Sequence, residues 1–317
     1  MVFLSVIPFN DNSSMSQPSV SIIIPVYNDT EGVRQTVDSL IAHTDPNAEI
    51  IIVDNDSTDR TPETAAEYAD KHDHILLVFE RNIQSSYAAR NTGIEHATGD
   101  IVCFLDADQT VTEGWLETAL EAIDERDAHY LAPDVRLAEP DDSTLAGRYN
   151  TQTGFPIAEF LERHHYAPTS CLFITRKLLE DVGTFDERLI SGGDKEFGNR
   201  VHNAGYELHY APEVVVHHPA RNSLRALVKR NLRIGRGHCQ LQQYYPDRYG
   251  RVGIPPRPSR IHGDQIQTPD TKQTTNENPK GIERILFTLL AVGMTATRGV
   301  GYYRECLGLL ARRLRGT

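Results

Sequence analysis

The sequence predicts an α/β fold: an open, mostly parallel sheet with helices on both faces, extended by a basic helical C-terminal tail. Three observations carry this expectation. Short β-branched runs alternate with helical stretches between residues 20 and 105. Acidic and basic residues are segregated along the chain. The 317 residues, 39% of them hydrophobic, suffice for one large core.

Val20 to Pro25 (VSIIIP) and Glu49 to Asp54 (EIIIVD) are continuous β-branched runs, the pattern of strands buried on both faces. Ile75 to Phe79 and Ile101 to Leu105 continue the series, with helices expected over Glu31 to Ile41, Pro62 to Ala69 and Tyr87 to Ala97. Such alternation implies parallel strands, and in such sheets ligands bind outside the carboxyl ends. Tyr130 to Arg136 and Ser170 to Thr175 are two further strand candidates. They flank an acidic loop and a candidate helix over Ile157 to His164, an insertion of the kind that builds acceptor pockets. The chain divides into a disordered leader (1–18, with Met15 as an alternative start), a main domain (19–220), a basic helical extension (221–252), a linker rich in Pro, Thr, Asn and Gln (253–280) and membrane-associating helices (281–317).

The net charge of −12 conceals an asymmetry. Residues 1–218 hold 14 basic and 38 acidic groups (−24), and residues 219–317 hold 18 basic and 6 acidic (+12). An acidic domain repels polyanions, which excludes nucleic acid as a partner; the basic tail suits phosphates or an anionic membrane. Only six of the 32 basic residues are lysine, an acidic, lysine-poor composition of haloarchaeal type. Four cysteines without a CxxC pair speak against a zinc or redox motif and for reduced thiols inside a cell. The apolar first nine residues lack a basic n-region and a cleavage site, so no signal peptide is expected.

Carboxylates at strand ends carry the chemistry. Asp54 closes a buried strand and opens the polar turn Asp54-Asn55-Asp56-Ser57-Thr58-Asp59, where it can accept a base or ribose proton or simply cap a helix. The run Ile101 to Asp108 delivers Asp106 and Asp108, one residue apart, into solvent. These are hard oxygen ligands suited to Mg2+ or Mn2+ bridging to a diphosphate.

With these motifs the chain resembles the family 2 inverting nucleotide-sugar glycosyltransferases of GT-A type, a Rossmann-like fold, including archaeal dolichyl-phosphate sugar enzymes. The resemblance rests on Pro25-Val26-Tyr27-Asn28, the Asp54 turn, Asn82 through Ala89-Arg90-Asn91-Thr92-Gly93, Asp106-Ala107-Asp108 and Gly192-Gly193-Asp194, and covers about residues 19–220. It implies that Pro25, Tyr27 and Asn28 line a nucleotide pocket and that Asp54 faces the base. Arg90 then lies near the donor phosphates, Asp106 contacts the ribose or a metal-bound water, and Asp108 holds the metal. The stretch Asn82-Ile83-Gln84-Ser85-Ser86 departs from relatives that carry a glycine near position 84 or 85.

Inverting displacement needs a base opposite the leaving diphosphate. Asp194, after two glycines that permit close approach and at the start of a helical pattern over Lys195 to Ala204, is the candidate, with Glu196 as rival. Val214 to His218 ends another strand in two imidazoles that alternate in direction. The resemblance implies a histidine here as a metal or phosphate contact, for which His217 is the candidate, with ordinary structural histidines as the alternative. Lys229-Arg230-x-x-Arg233-x-x-Arg236 shares a helix face that suits donor or lipid phosphate, or else a solvated basic surface.

In the tail, thirteen uncharged residues, Ile285 to Thr297, span about 20 Å, short of the ~30 Å hydrocarbon layer. A helical hairpin lying in the interface therefore fits better than a single C-terminal anchor, with packing on the chain's own core as the third option. The resulting expectation is transfer from a nucleotide-sugar to a lipid-linked glycan at the cytoplasmic face of the cell membrane, a dolichyl-phosphate-linked oligosaccharide for surface-layer glycoprotein. The alternatives are a dolichyl-phosphate monosaccharide synthase, a polysaccharide transferase and a non-catalytic nucleotide-sugar-binding membrane module. A dinucleotide-binding oxidoreductase is set aside because Pro25-Val26-Tyr27-Asn28 stands where GxGxxG belongs.

Overall fold

The computed structural model describes residues 18–256 and 281–315, so nearly all of the expected leader and most of the expected linker lie outside the described residues. Eight strands form one sheet: β1 (Val20–Val26), β2 (Glu49–Asp54), β3 (Ile75–Phe79), β4 (Ile101–Leu105), β5 (Thr110–Val111), β6 (Tyr130–Ala138), β7 (Cys171–Thr175) and β8 (His209–Pro219), in the order β3-β2-β1-β4-β7-β6-β8-β5. The helices are α1 (Thr30–His43), α2 (Thr61–Ala69), α3 (Ser86–His96), α4 (Trp115–Arg126), α5 (Leu145–Thr153), α6 (Ile157–His164), α7 (Arg176–Val182), α8 (Gly193–Asn203), α9 (Leu224–Tyr244), α10 (Pro246–Tyr249) and α11 (Ile282–Arg315).

The four β-branched runs of the N-terminal half become β1 to β4, all parallel where they pair. Their burial follows from composition. Ile22, Ile23, Ile24, Ile50, Ile51, Ile52 and Val53 are almost wholly inaccessible, each side chain contributing roughly 1.5–3 kcal/mol of hydrophobic stabilisation. α1 covers one face with Val33, Val37 and Leu40, spaced i, i+4, i+7. Beyond β4, where strict βα alternation stops, direction becomes mixed: β7 runs against both β4 and β6, β6 is parallel to β8, and β5 is antiparallel to β8.

Two features of register build the functional edge. Val26 pairs with Asp54 and Asp54 with Phe79, so β1, β2 and β3 end level with one another. β4 ends at Leu105 opposite Cys171, and the Asp106 amide donates to the Ser170 carbonyl at 2.9 Å, carrying the next residues onto the same edge. β5 then pins the loop that follows: Thr110 pairs with His217 and Val111 with Val216.

The tail differs from the expected hairpin. α11 is one uninterrupted helix of 34 residues, roughly 50 Å long, packed along α9. One glycine of α11, Gly301, and one of α9, Gly235, serve close approach. A Cβ at Gly301 would overlap the Leu232 carbonyl oxygen, and one at Gly235 would overlap that of Arg298. Around this crossing Tyr302, Cys239 and Leu309 are buried together, and Arg236 pairs with the buried Glu305 at 2.9 Å. The opposite face is open: Ile282, Ile285, Leu289, Val292, Val300, Tyr303, Leu307 and Leu310 are all at least half exposed, at helical spacing. By length and composition α11 could cross a membrane.

Gly235→Val tests the crossing. The added side chain should force α9 and α11 apart, cost about 1–3 kcal/mol, and expose α11 to limited proteolysis. A variant with unchanged melting and unchanged protease pattern would contradict this packing.

Candidate functional site

The carboxyl edge of β1 and β4 opens a cleft lined by Pro25, Val26, Tyr27, Asp29, Asp106, Ala107, Asp108, His218 and Arg221. Asp29 is fixed in the first turn of α1, where its carboxylate caps the Gly32 amide at 2.9 Å. The absence of a side chain at Gly32 lets this turn close on the Ala107 carbonyl. Three acids thus crowd one opening. Burial pushes the Asp108 carboxyl up, His218 and Arg221 oppose that, and Asp106 and Asp29 add to it.

Asp106 is held by Arg90. That guanidinium, 4% exposed, reaches the carboxylate at 2.7 Å, the Thr169 carbonyl at 3.1 Å and the Ser86 carbonyl at 3.2 Å, while its Nε has no partner. Arg90 is one turn beyond Tyr87 on the same face of α3. The Tyr87 hydroxyl lies 3.5 Å from Oδ1 of Asp194, so one helix face connects the acids of β4 to the first turn of α8. Gly193 makes this possible, since a Cβ there would stand 2.7 Å from the Tyr87 ring. Asp194 also accepts from the Lys195 amide at 2.9 Å. Desolvation raises its carboxyl above the ordinary value; the Lys195 amide, Arg90 and Arg233 pull the other way.

Glu196 is engaged elsewhere. It is 1% exposed and pairs with Arg200 at 3.0 Å and Arg248 at 3.4 Å, a structural knot that leaves Asp194 as the available carboxylate.

Asp54 is buried, with one oxygen accepting from the Ser57 amide at 3.0 Å and the other, Oδ1, unpartnered. An inaccessible carboxylate oxygen without a donor is costly unless a ligand supplies one. Asn28, in the left-handed region at φ 50°, accepts from the Thr58 amide at 2.7 Å, and its own amide donates to the Ser57 hydroxyl at 2.9 Å. It therefore ties the segment after β1 to the Asp54 turn. Tyr27 is 47% exposed, a free aromatic face beside these groups.

The histidine expectation is corrected. Alternation along β8 leaves His217 opposite Thr110 and outside the residues lining the cleft, and turns His218 in. His218 is 3% exposed, with Nε2 3.6 Å from Oδ1 of Asp108. Its Nδ1 lies 3.0 Å from the Pro219 carbonyl, an acceptor to which it donates, and Nε2 is the ring nitrogen turned toward Asp108.

Of the expected site residues, Pro25, Tyr27, Asp106 and Asp108 line this cleft; Arg90 grips Asp106 from α3; Asp54 and Asn28 form the adjoining turn; Asp194 lies beyond Tyr87. Tyr87, Asp29 and Arg221 were not singled out from sequence, and of the two imidazoles His217 was preferred to His218. Tyr87 carried a local signal in its i, i+3 spacing from Arg90, and Asp29 one as the cap of α1 next to Asn28. His218 and Arg221 arrive through the long-range pairing of β8.

A divalent cation fits this geometry as an open site rather than a cage. Among the described residues no three His, Cys, Asp or Glu side chains converge as a complete ligand set. Two carboxylates with one imidazole nearby match a hard cation that draws its remaining ligands from phosphate and water.

Comparison with known proteins agrees with the architecture. The sequence profile of glycosyl transferase family 2 matches residues 21–183. The chain is 37% identical over 226 residues to glycosyltransferase AglE of Haloferax volcanii, covering 71% of this chain and 74% of the relative. It is 30% identical over 254 residues to the pre-mycofactocin glycosyltransferase of Mycobacterium tuberculosis, covering 74% of this chain but half of that protein. Among solved structures, mannosyltransferase PcManGT from Pyrobaculum calidifontis, in complex with GDP-Man and Mn2+, superposes with a TM-score of 0.56 at 19% identity over 96% of this chain and 77% of that one. Residues 1–349 of S. aureus TarS, in complex with UDP-GlcNAc, superpose with a TM-score of 0.53 at 18% identity, covering 73% and 70%. The two structural likenesses bear on the fold, and with the profile and the sequence relatives they lead to one conclusion: the chain belongs to glycosyl transferase family 2 and is a glycosyltransferase.

Proposed function

We propose that this enzyme transfers a sugar from a nucleotide-sugar to a membrane-held acceptor by direct, inverting displacement assisted by Mg2+ or Mn2+. The observation that carries the proposal is that Asp106, Asp108 and His218 line one cleft and that one face of α3 links this cleft to Asp194, Arg90 gripping Asp106 and Tyr87 reaching Asp194. A divalent cation at Asp108, with Asp106 and His218 beside it, would neutralise charge on the departing nucleoside diphosphate. Asp106, fixed by Arg90, orients the donor; Asp54 offers its unpartnered oxygen to a base N–H, and Tyr27 its ring to the base. Asp194 takes the acceptor hydroxyl proton as the acceptor oxygen bonds to the anomeric carbon and the carbon–diphosphate bond breaks. Burial favours this role, because a carboxylate of raised pKa is a stronger base than an exposed one. Uridine and guanosine diphosphate sugars are the donor classes to test first.

The membrane half of the proposal rests on α11. One of its faces is bound to α9 and carries the buried Glu305 with Arg236 and Arg312, while the other presents the apolar stripe bordered by Arg284 and Arg304. A helix committed to protein on one side and apolar on the other suits the plane of a membrane, where basic residues meet anionic headgroups. This favours a peripheral enzyme on the cytoplasmic face, acting on a lipid-linked glycan such as a dolichyl-phosphate-linked oligosaccharide for surface-layer glycoprotein.

In a donor-turnover assay, Asp194→Asn should lower kcat by about 10²- to 10⁴-fold while leaving nucleotide binding intact. Asp108→Asn should abolish the metal dependence of donor binding, and chelation of wild type should stop turnover until Mg2+ or Mn2+ is restored. Normal kcat in D194N, or turnover that ignores chelator, would refute the assignment.

The pH profile provides an independent check. Because Asp194 must be ionised to accept a proton and its pKa is raised, kcat should fall as pH drops, beginning above the ordinary carboxylate range. A kcat that stays flat down to about pH 4, the ordinary carboxylate value, would remove Asp194 as the base.

The stripe is tested by Leu289→Glu with Leu307→Glu. Both side chains are exposed, so melting should be unchanged while co-sedimentation with anionic vesicles is lost. Retained sedimentation would show that α11 does not hold the membrane.

A further inference from the structure

Of the arginines after β8, several pair with acids: Arg236 and Arg312 with Glu305, and Arg248 with Glu196. Arg221, Arg230, Arg233 and Arg298 have no carboxylate within ion-pair distance among the described residues, although the chain carries twelve more acids than bases. These four are also neighbours. Arg221 follows β8, its amide fixed by the Asn150 side chain at 2.7 Å and its Nη1 buried without a partner. Arg230 and Arg233 are one turn apart on α9. Arg298 comes from α11, its Nε bonded to Asn231 at 2.6 Å.

The cluster adjoins the cleft. The Arg230 guanidinium lies 5.9 Å from the Phe155 ring, which lies 5.8 Å from the ring of His218, the partner of Asp108. Arg233 acts electrostatically on Asp194, and Arg221 on Asp108. The group thus runs from the acids of the cleft past the base to the tail helix. Like charges this close repel one another. Arg230 is pushed down to about 10, first by burial and then by Arg221, Arg298 and Arg233. Four converging guanidiniums without an acid are matched by a multivalent anion, and their planar forks suit phosphate oxygens.

We propose that Arg221, Arg230, Arg233 and Arg298 form a phosphate site that adjoins the cation site through Arg221 and holds the phosphate of a lipid acceptor, so that the tail helix supplies part of the substrate pocket. The proposal rests on the transferase reading above and names the acceptor's chemical class. The alternative source of phosphate, the donor diphosphate, is favoured less by position. The cation-binding acids serve the donor, whereas Arg298 belongs to the helix whose outer face is apolar and which would lie where a lipid tail leaves the pocket. Holding the acceptor by its phosphate also couples membrane docking to catalysis, because α11 would carry both the apolar stripe and Arg298.

The test uses the full chain and decyl phosphate below its micellar concentration as probe, titrated calorimetrically beside decyl maltoside, which has no phosphate. Wild type should bind decyl phosphate at least about tenfold more tightly than decyl maltoside, and R230A and R298A should each lose about tenfold or more of that affinity. Arg225→Ala, an exposed arginine of α9 outside the cluster, should bind as wild type does. Binding of UDP and GDP with Mn2+ should be unchanged in R230A and R298A. R298K, which keeps the charge but not the fork, should be intermediate, and unchanged melting will certify the fold. Absence of phosphate preference in wild type, full affinity in R230A and R298A, or an equal loss of nucleotide binding in those variants would each overturn the proposal. A chain that turns over donor yet ignores decyl phosphate refutes this site alone; one that binds decyl phosphate yet turns over no donor refutes the transferase mechanism alone.

Discussion

The ion pair between the buried Arg90 and Asp106 at the cleft wall is the constraint on which the site depends. Arg90 is almost wholly removed from water, and its charge is tolerated because a carboxylate and two carbonyl oxygens receive it. Its desolvation locks α3 against the end of β4, and with α3 comes Tyr87. The distance between the acids of the cleft and Asp194 is thereby set by one rigid helix rather than by loops. Taking away Asp106 would leave the buried guanidinium without a counter-charge, an effect of about 3–5 kcal/mol for buried charges, whereas Asp106 without Arg90 would still be solvated from the cleft.

Around that pair the edges of the sheet are unlike in electrostatic state. At the amino edge acids are consumed: Asp100 accepts from the Ser19 amide and hydroxyl, and Glu49 from Ser21 and Thr98. Asp100 is accordingly held below its usual value, first by the Ser19 hydroxyl. At the carboxyl edge acids are left underused, with one Asp54 oxygen unpartnered and Asp108 raised by burial beside two other carboxylates. Stability is spent where ligands are expected and recovered at the opposite edge, which is the distribution of a binding edge and a structural edge.

The second half of the chain adds what the parallel strands cannot. β8 returns alongside β6, and the two-residue β5 stitches the loop after Asp108 to it, so that His218 meets Asp108 across more than a hundred residues of sequence. α9 and α11 cross closely through Gly235 and Gly301, and that crossing brings a tail arginine beside those of α9. The basic charge of the tail is therefore divided. Some of it pairs with Glu305 to hold the helices together, whereas Arg298 bonds Asn231 and has no acid within ion-pair distance among the described residues.

What the sequence by itself determined was whatever local pattern encodes. The β-branched runs of β1 to β4, the helix over Ile157 to His164 and the placement of Asp54, Asp106 and Asp108 at strand ends follow from burial periodicity and turn chemistry, which act within a few residues. The family resemblance added Arg90 and Asp194, which no periodicity would have selected. Tertiary structure alone decided the rest. Which of two adjacent histidines turns inward depends on the register of β8 against β5 and β6, and one residue of slip would reverse it. Whether the tail folds back or runs straight depends on how it packs on α9 through Gly301 and Gly235, and whether an arginine is paired depends on acids far away in sequence. These are contacts between distant segments, and no local pattern carries them.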